Sequence, residues 1–100
     1  SFFQNPVVSL ETFSGLQQTY PDIKAFPAGQ EMKLSAGWLI EKAGWKGKRM
    51  GNVGCYEKHA LVLVNYGQGR AEELLKLYQT IQADVTDRFG VTLVPEVNLW

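Results

Sequence analysis

The sequence predicts an α+β fold, and three observations carry that expectation. Residues 70–89 place apolar side chains at helical spacing, from Ala71 through Leu74, Leu75, Tyr78, Ile81 and Val85 to Phe89. Residues 59–65, HALVLVN, form an aliphatic and β-branched run bounded by polar residues, as a strand does. Helical and extended stretches interleave along the chain, with a hairpin in the middle. The expected architecture is a small mixed sheet with helices packed on one face, in strand-helix-helix-strand-strand-helix-strand order. One hundred residues suit a single domain over 1–100.

Each element has a local reason. The opening stretch, SFFQNPVVS, reads as extended from Phe2 to Val8, because Pro6 lacks an amide donor and steers Asn5 away from helical torsions. Ser9 is placed to cap a helix, with Glu11 in its first turn and Val8 and Phe13 spaced to staple across the cap. Leu10, Phe13 and Leu16 give that helix an apolar face, and it ends near Tyr20 and Pro21. Asp22 to Met32, DIKAFPAGQEM, reads as a loop with Phe26 and Pro27 at its tip. Phe26 either tucks into the core or closes over something bound.

Ser35 then repeats the capping logic, with Leu34 and Leu39 as the staple and Gly44 as the left-handed stop, for a short helix that buries Trp38, Leu39 and Ala43. Gly47, Gly51 and Gly54 punctuate a turn and the start of a strand. The HALVLVN strand is expected to be buried on both faces, at the centre of the sheet. After the turn NYGQGR, the long helix carries Glu72 and Glu73 early, Arg88 late and Gly90 as its stop. VTLVPEVNLW closes the chain as a strand interrupted by Pro95, hence an edge or bulged strand. If it ran parallel beside HALVLVN, the crossover through the long helix would be right-handed.

Composition excludes several function classes. With 45% hydrophobic and 20% charged residues the chain is of ordinary globular type, and its zero net charge argues against nucleic acid and membrane surfaces as partners. The basic knot Lys46, Lys48 and Arg49 reads as a solvated turn. A single cysteine, Cys55, permits no internal disulfide and fits a reducing compartment, so a cytoplasmic location is expected. One histidine cannot assemble a zinc-type ligand set, so no metal is expected. No apolar stretch approaches the ~20 residues of a membrane span. The glycines spell neither a P-loop nor a dinucleotide fingerprint, and nucleotide binding of those kinds is rejected.

Four residues stand out chemically. Alternation along the last strand sets Glu96 opposite Leu93, Val97 and Leu99, where it is either solvent-facing or, if shielded, a proton carrier with a raised pKa. Ser1, Phe3 and Asn5 share one face of an extended segment, although Ser1 alone reads equally as a frayed end. His59 precedes the HALVLVN strand with no carboxylate or nucleophile placed beside it, which favours a structural role.

The same residues carry a resemblance. SFFQNPVVS resembles the S-F-F-x-N-P motif that opens the last domain of the UDP-N-acetylenolpyruvoylglucosamine reductase (MurB) family. KLSAGWLIEKAGWKGKRMGNVGCYEKHALVLVN is similar to that family's A-G-W-L-I…K-G…G…H-A-L-V-L-V-N block, and FGVTLVPEVNLW to its closing F-G-x-x-L-x-P-E-V segment. The resemblance covers nearly the whole chain. It implies the carboxy-terminal substrate domain of a larger flavoenzyme, whose FAD-binding part precedes this one and is absent here. It implies a reductase in which NADPH reduces FAD and the flavin reduces UDP-N-acetylglucosamine enolpyruvate to UDP-N-acetylmuramate, in peptidoglycan biosynthesis. FAD and NADPH would belong to the longer enzyme, with neither bound by this chain alone, which would be inactive by itself.

The resemblance also implies roles. Ser1 would donate the proton to the enol(ate) and Glu96 would stabilise or help protonate it. Asn5, Phe26 and His59 would contact substrate, and Lys33 and Lys46 would face its diphosphate. Phe26 stands where family members with a substrate-covering loop carry a tyrosine. A phenyl ring covers a site but donates no hydrogen bond. The rival reading is an independent, non-catalytic α+β module that binds a small ligand or a protein.

Overall fold

The first two helices begin on the serines that the sequence marks as caps. The computed structural model describes residues 3–60, 62–67 and 70–95. Ser9 Oγ accepts the amide of Thr12 at the start of α1 (Leu10–Thr19), and Ser35 Oγ accepts that of Trp38 in α2 (Ala36–Lys42), each bond 3.1 Å. A third helix, α3 (Ala71–Phe89), ends on Gly90 in the left-handed conformation. The extended segments are β1 (Phe3–Gln4), β2 (Val7–Ser9), β3 (Ala25–Ala28), β4 (Glu31–Leu34), β5 (Arg49–Met50), β6 (Val53–Cys55), β7 (Leu63–Asn65) and β8 (Val94–Pro95).

The fold is α+β. Among the described residues the strands are distributed over three small antiparallel sheets, ordered β2-β4-β3, β5-β6-β7 and β1-β8. Residues 22–32, read from the sequence as a loop, contain most of a hairpin. Ala28 pairs with Glu31 across a two-residue turn in which Gly29 has φ +62°, a torsion that glycine adopts without a Cβ penalty. Pro27 is tolerated because β3 is the edge of its sheet.

HALVLVN is a second correction. Among the described residues only Leu63–Asn65 is strand, it pairs with β6 alone, and Val62 is 39% exposed, so β7 is a half-buried edge rather than a central strand. Nor does it neighbour the last strand: β8 pairs antiparallel with β1, Phe3 opposite Pro95 and Gln4 opposite Val94, so among the described residues no parallel crossover joins them.

The core lies where α2 and α3 meet β6. Leu39, Ile40, Leu77, Ile81, Val85, Val53 and Leu93 are buried, and no described polar or charged residue is. The buried seam of α3 runs Leu77, Ile81, Val85, Phe89, one residue every helical turn. The sequence face had included Ala71 and Leu75, which are exposed, and left out Leu77. Apolar residues at 74, 75, 77 and 78 describe two overlapping faces, and packing selects one. On α1, Leu10 points outward while Phe13 and Leu16 rest on the core. Tyr20, Trp38 and Phe89 join the ends of the three helices, with ring centroids 5.1–6.0 Å apart. Phe3 is buried against Tyr78 at 5.7 Å.

Candidate ligand-binding site

Three distant segments converge on the start of α2. Asn5 Oδ1 accepts the Ala36 amide at 2.9 Å, and the Leu34 amide donates to Pro6 O at 2.8 Å. The Ser35 amide donates to Lys24 O at 3.0 Å. Asn5 and Ser35 thus satisfy two orphan amides of the first helical turn and fix the backbone of residues 5, 24 and 35 side by side. Phe3 and Asn5 do not share a face as alternation predicted. The strand stops at Gln4, so Phe3 enters the core while Asn5 turns to the surface.

Two further turns complete the wall. The turn after α2 is held by Trp45, whose indole Nε1–H donates to Asp84 Oδ2 on α3 at 2.7 Å. Gly47 N–H donates to Cys55 O at 3.1 Å and Cys55 N–H to Lys48 O at 2.9 Å. The β6–β7 turn is closed by Tyr56 N–H to Val62 O at 2.8 Å, by Val62 N–H to His59 O at 3.0 Å, and by Cys55 Sγ donating to Ala60 O at 3.0 Å. Burial pushes the Cys55 thiol above its ordinary pKa, against the opposing pull of the Gly47 hydrogen bond and Lys46, so the protonated donor form is the one that anchors Ala60.

These segments line an open cavity on the surface of about 390 Å³, walled by Asn5, Lys24, Phe26, Ser35, Gly37, Trp38, Glu41, Lys46, Lys58, His59 and Ala60. It sets two aromatic side chains beside three lysines. Lys46 Nζ is 3.4 Å from Glu41 Oε1, the one acidic group in the wall. Phe26 is 54% exposed on β3, so it has not tucked into the core. Such a wall suits an anion joined to a flat or apolar group.

The donor set does not fit a flavin dinucleotide. The first-turn amides of Ala36 and Trp38 are already taken by Asn5 and Ser35, and Gly29 and Gly51 lie in hairpin turns rather than in strand-to-helix turns.

Of the residues singled out in the sequence, Asn5, Phe26, Lys46 and His59 meet in this wall. Lys33 does not line it; on β4 it lies directly across from Phe26 and from Val7. Ser1 and Glu96 lie outside the described residues. Lys24, Trp38, Glu41 and Lys58 were missed as wall residues. Two signals could have found the lysines: Lys24 stands two residues before Phe26, and Lys58 immediately before His59.

Comparison with known proteins reaches the same family. The family model for the C-terminal domain of UDP-N-acetylenolpyruvoylglucosamine reductase matches residues 1–100. The chain belongs to this family. It is 49% identical over 100 residues to the UDP-N-acetylenolpyruvoylglucosamine reductase of Bdellovibrio bacteriovorus, covering 100% of this chain and 30% of that protein. It is 46% identical over 101 residues to the one from Pseudomonas syringae pv. syringae, again covering 100% of this chain and 30% of the relative. With the Azoarcus reductase it shares 50% identity over 97 residues, covering 96% of this chain and 28% of the relative. The chain therefore spans about three-tenths of the length of the curated relatives it matches. Among the described residues no helix is long and apolar enough to cross a membrane, and no group of three or more His, Cys, Asp or Glu side chains could hold a metal ion.

Proposed function

We propose that this chain is the substrate-binding and proton-donating domain of a cytoplasmic FAD- and NADPH-dependent reductase that converts UDP-N-acetylglucosamine enolpyruvate to UDP-N-acetylmuramate in peptidoglycan biosynthesis. The reading rests above all on the lysine-lined cavity, whose aromatic and cationic wall matches a ligand that joins a diphosphate to planar and sugar groups. Family membership supports it independently. FAD and NADPH belong on this reading to the rest of the enzyme, where the bound flavin supplies hydride to the enolpyruvyl double bond.

This chain's own residues bind, orient and protonate. Lys46 meets the diphosphate, Asn5 offers its amide NH₂ while its Oδ1 holds α2, Phe26 covers the ligand and excludes water, and His59 contacts it from the β6–β7 turn. Lys33, beside Phe26 on the same sheet face, is a peripheral cation for the same anion. Ser1 donates the proton to the reduced substrate's enolate carbon and Glu96 stabilises that intermediate. The pairing of Phe3 with Pro95 supports this assignment, because Ser1 is two residues from one partner and Glu96 is the neighbour of the other.

The test uses the reductase that carries this chain. Ser1→Ala should leave reduction of the flavin by NADPH intact and slow oxidation of the reduced flavin by the enolpyruvyl nucleotide by ~10²-fold or more. Equal damage to both half-reactions would refute the role of Ser1. A carrier protein that neither binds flavin nor consumes the nucleotide would instead support the non-catalytic module.

A further inference from the structure

Lys24, Lys46 and Lys58 reach one cavity from the approach to β3, the turn after α2 and the β6–β7 turn. The whole chain has ten basic and ten acidic residues, yet this wall sets three lysines against Glu41 alone. Among the described residues the ion pairs are Lys42 with Asp22, Lys46 with Glu41, and Arg88 with Asp84. Lys24 and Lys58 thus enter the cavity with no ion-pair partner among the described residues. Their backbones are fixed: Lys24 O accepts the Ser35 amide at 3.0 Å, and Lys58 sits in the turn that Cys55, Tyr56 and Val62 close. Fixed backbone with free ammonium groups is suited to a polyanion, because each lysine acts as a point charge with three donors and finds its own phosphate oxygen.

We infer that Lys24 and Lys58 are specificity-determining residues that, with Lys46, form a three-lysine clamp on the two adjacent phosphates of a nucleoside diphosphate. This rests on the proposed reading that the nucleotide sugar enters this cavity, and it adds which side chains select for its diphosphate. Division of the work is the physical point. Glu41 neutralises part of Lys46, so one lysine alone offers a weak site, while two unpaired lysines leave the concavity positive before any ligand arrives.

The test is substrate kinetics of the full reductase with Lys24→Ala, Lys58→Ala, the double variant and Lys46→Ala, with UDP-N-acetylglucosamine enolpyruvate as the varied ligand. Each single substitution should raise KM about three- to fivefold with kcat kept within twofold, and the double variant ten- to twentyfold. Lysine to arginine at either position should restore most of the loss, since charge is retained. Added salt should raise KM of the wild type more steeply than that of the double variant, because screening acts on charges that the variant lacks. Lys42→Ala, paired with Asp22 and outside the wall, is the control and should leave KM unchanged. If the double variant keeps the wild-type KM and salt dependence while Lys46→Ala raises KM, the clamp is wrong and the functional reading stands. If no lysine variant alters KM, or the nucleotide is not turned over at all, the reading of the cavity fails and the clamp fails with it.

Discussion

The seam between α2, α3 and β6 and the cavity beside it are built from opposite materials. In the seam Leu39, Ile40, Leu77, Ile81 and Val85 are fully buried, with no polar side chain among them. In the cavity wall Phe26 is 54% exposed, and lysines stand among hydrogen-bonded turns. The seam gains its stability from apolar area removed from water. The wall contributes little to stability, but it holds charged and aromatic groups in place by short polar bonds to a rigid neighbour. Changes in one region should therefore move stability, and changes in the other should move ligand affinity.

The largest expected effect lies in the seam. Ile81→Ala removes buried methyl groups from a packed helix face and should cost about 2–5 kcal/mol of unfolding free energy, measured by urea titration. The folded fraction should keep its substrate KM. A KM that rises in the folded enzyme would show that the two regions are coupled.

A smaller effect sharpens the comparison at the joint between them. Trp45→Phe removes the donor to Asp84 Oδ2 together with the five-membered ring of a buried indole, and should cost at least about 1–3 kcal/mol. Burial raises the pKa of Asp84, but the hydrogen bonds from Trp45 and Arg88 and the charges of Arg88 and Lys48 outweigh it and hold the carboxyl below its ordinary value. A depressed folded-state pKa gives stability that is full above the ordinary carboxylate range and is lost as pH falls through the folded value. Trp45→Phe should therefore flatten the acid limb of a stability–pH curve and narrow its gap to the wild type at low pH, leaving only the packing loss, which does not depend on pH. An unchanged acid limb would remove Asp84 from the account.

The smallest stability effect belongs to the wall. Phe26→Ala should lower the unfolding free energy by no more than about 0.5 kcal/mol, since the ring is half in solvent. Its signature is kinetic: KM for the enolpyruvyl nucleotide should rise, and Phe26→Tyr should preserve it. A loss of stability comparable to that of Ile81→Ala would mean that the ring is core.

The comparison also explains what was legible in the sequence. Helices were legible because caps, staples and stops are local: Ser9, Ser35, Gly44 and Gly90 signal their own positions. Strand partners were not legible, because pairing is decided by residues far away. HALVLVN reads as central on composition, and β7 is an edge because β6 is its single partner among the described residues. The β3–β4 hairpin was hidden by Pro27 and by a turn, Gly29-Gln30, weaker as a signal than Asn-Gly. In the site, the family resemblance pointed to Asn5, Phe26, Lys46 and His59, and to Lys33, which lies outside the wall; Lys24 and Lys58 belong to no motif, and their closeness in sequence to Phe26 and His59 became meaningful once three segments folded against α2.

The most direct measurement is a crystal structure of the reductase that carries this chain, with UDP-N-acetylglucosamine enolpyruvate bound. The account predicts the diphosphate in the cavity, its oxygens within about 3.2 Å of the Nζ atoms of Lys24, Lys46 and Lys58, and the enolpyruvyl group beside Ser1 and Glu96. A nucleotide seated elsewhere, with those lysines left in solvent, would contradict it.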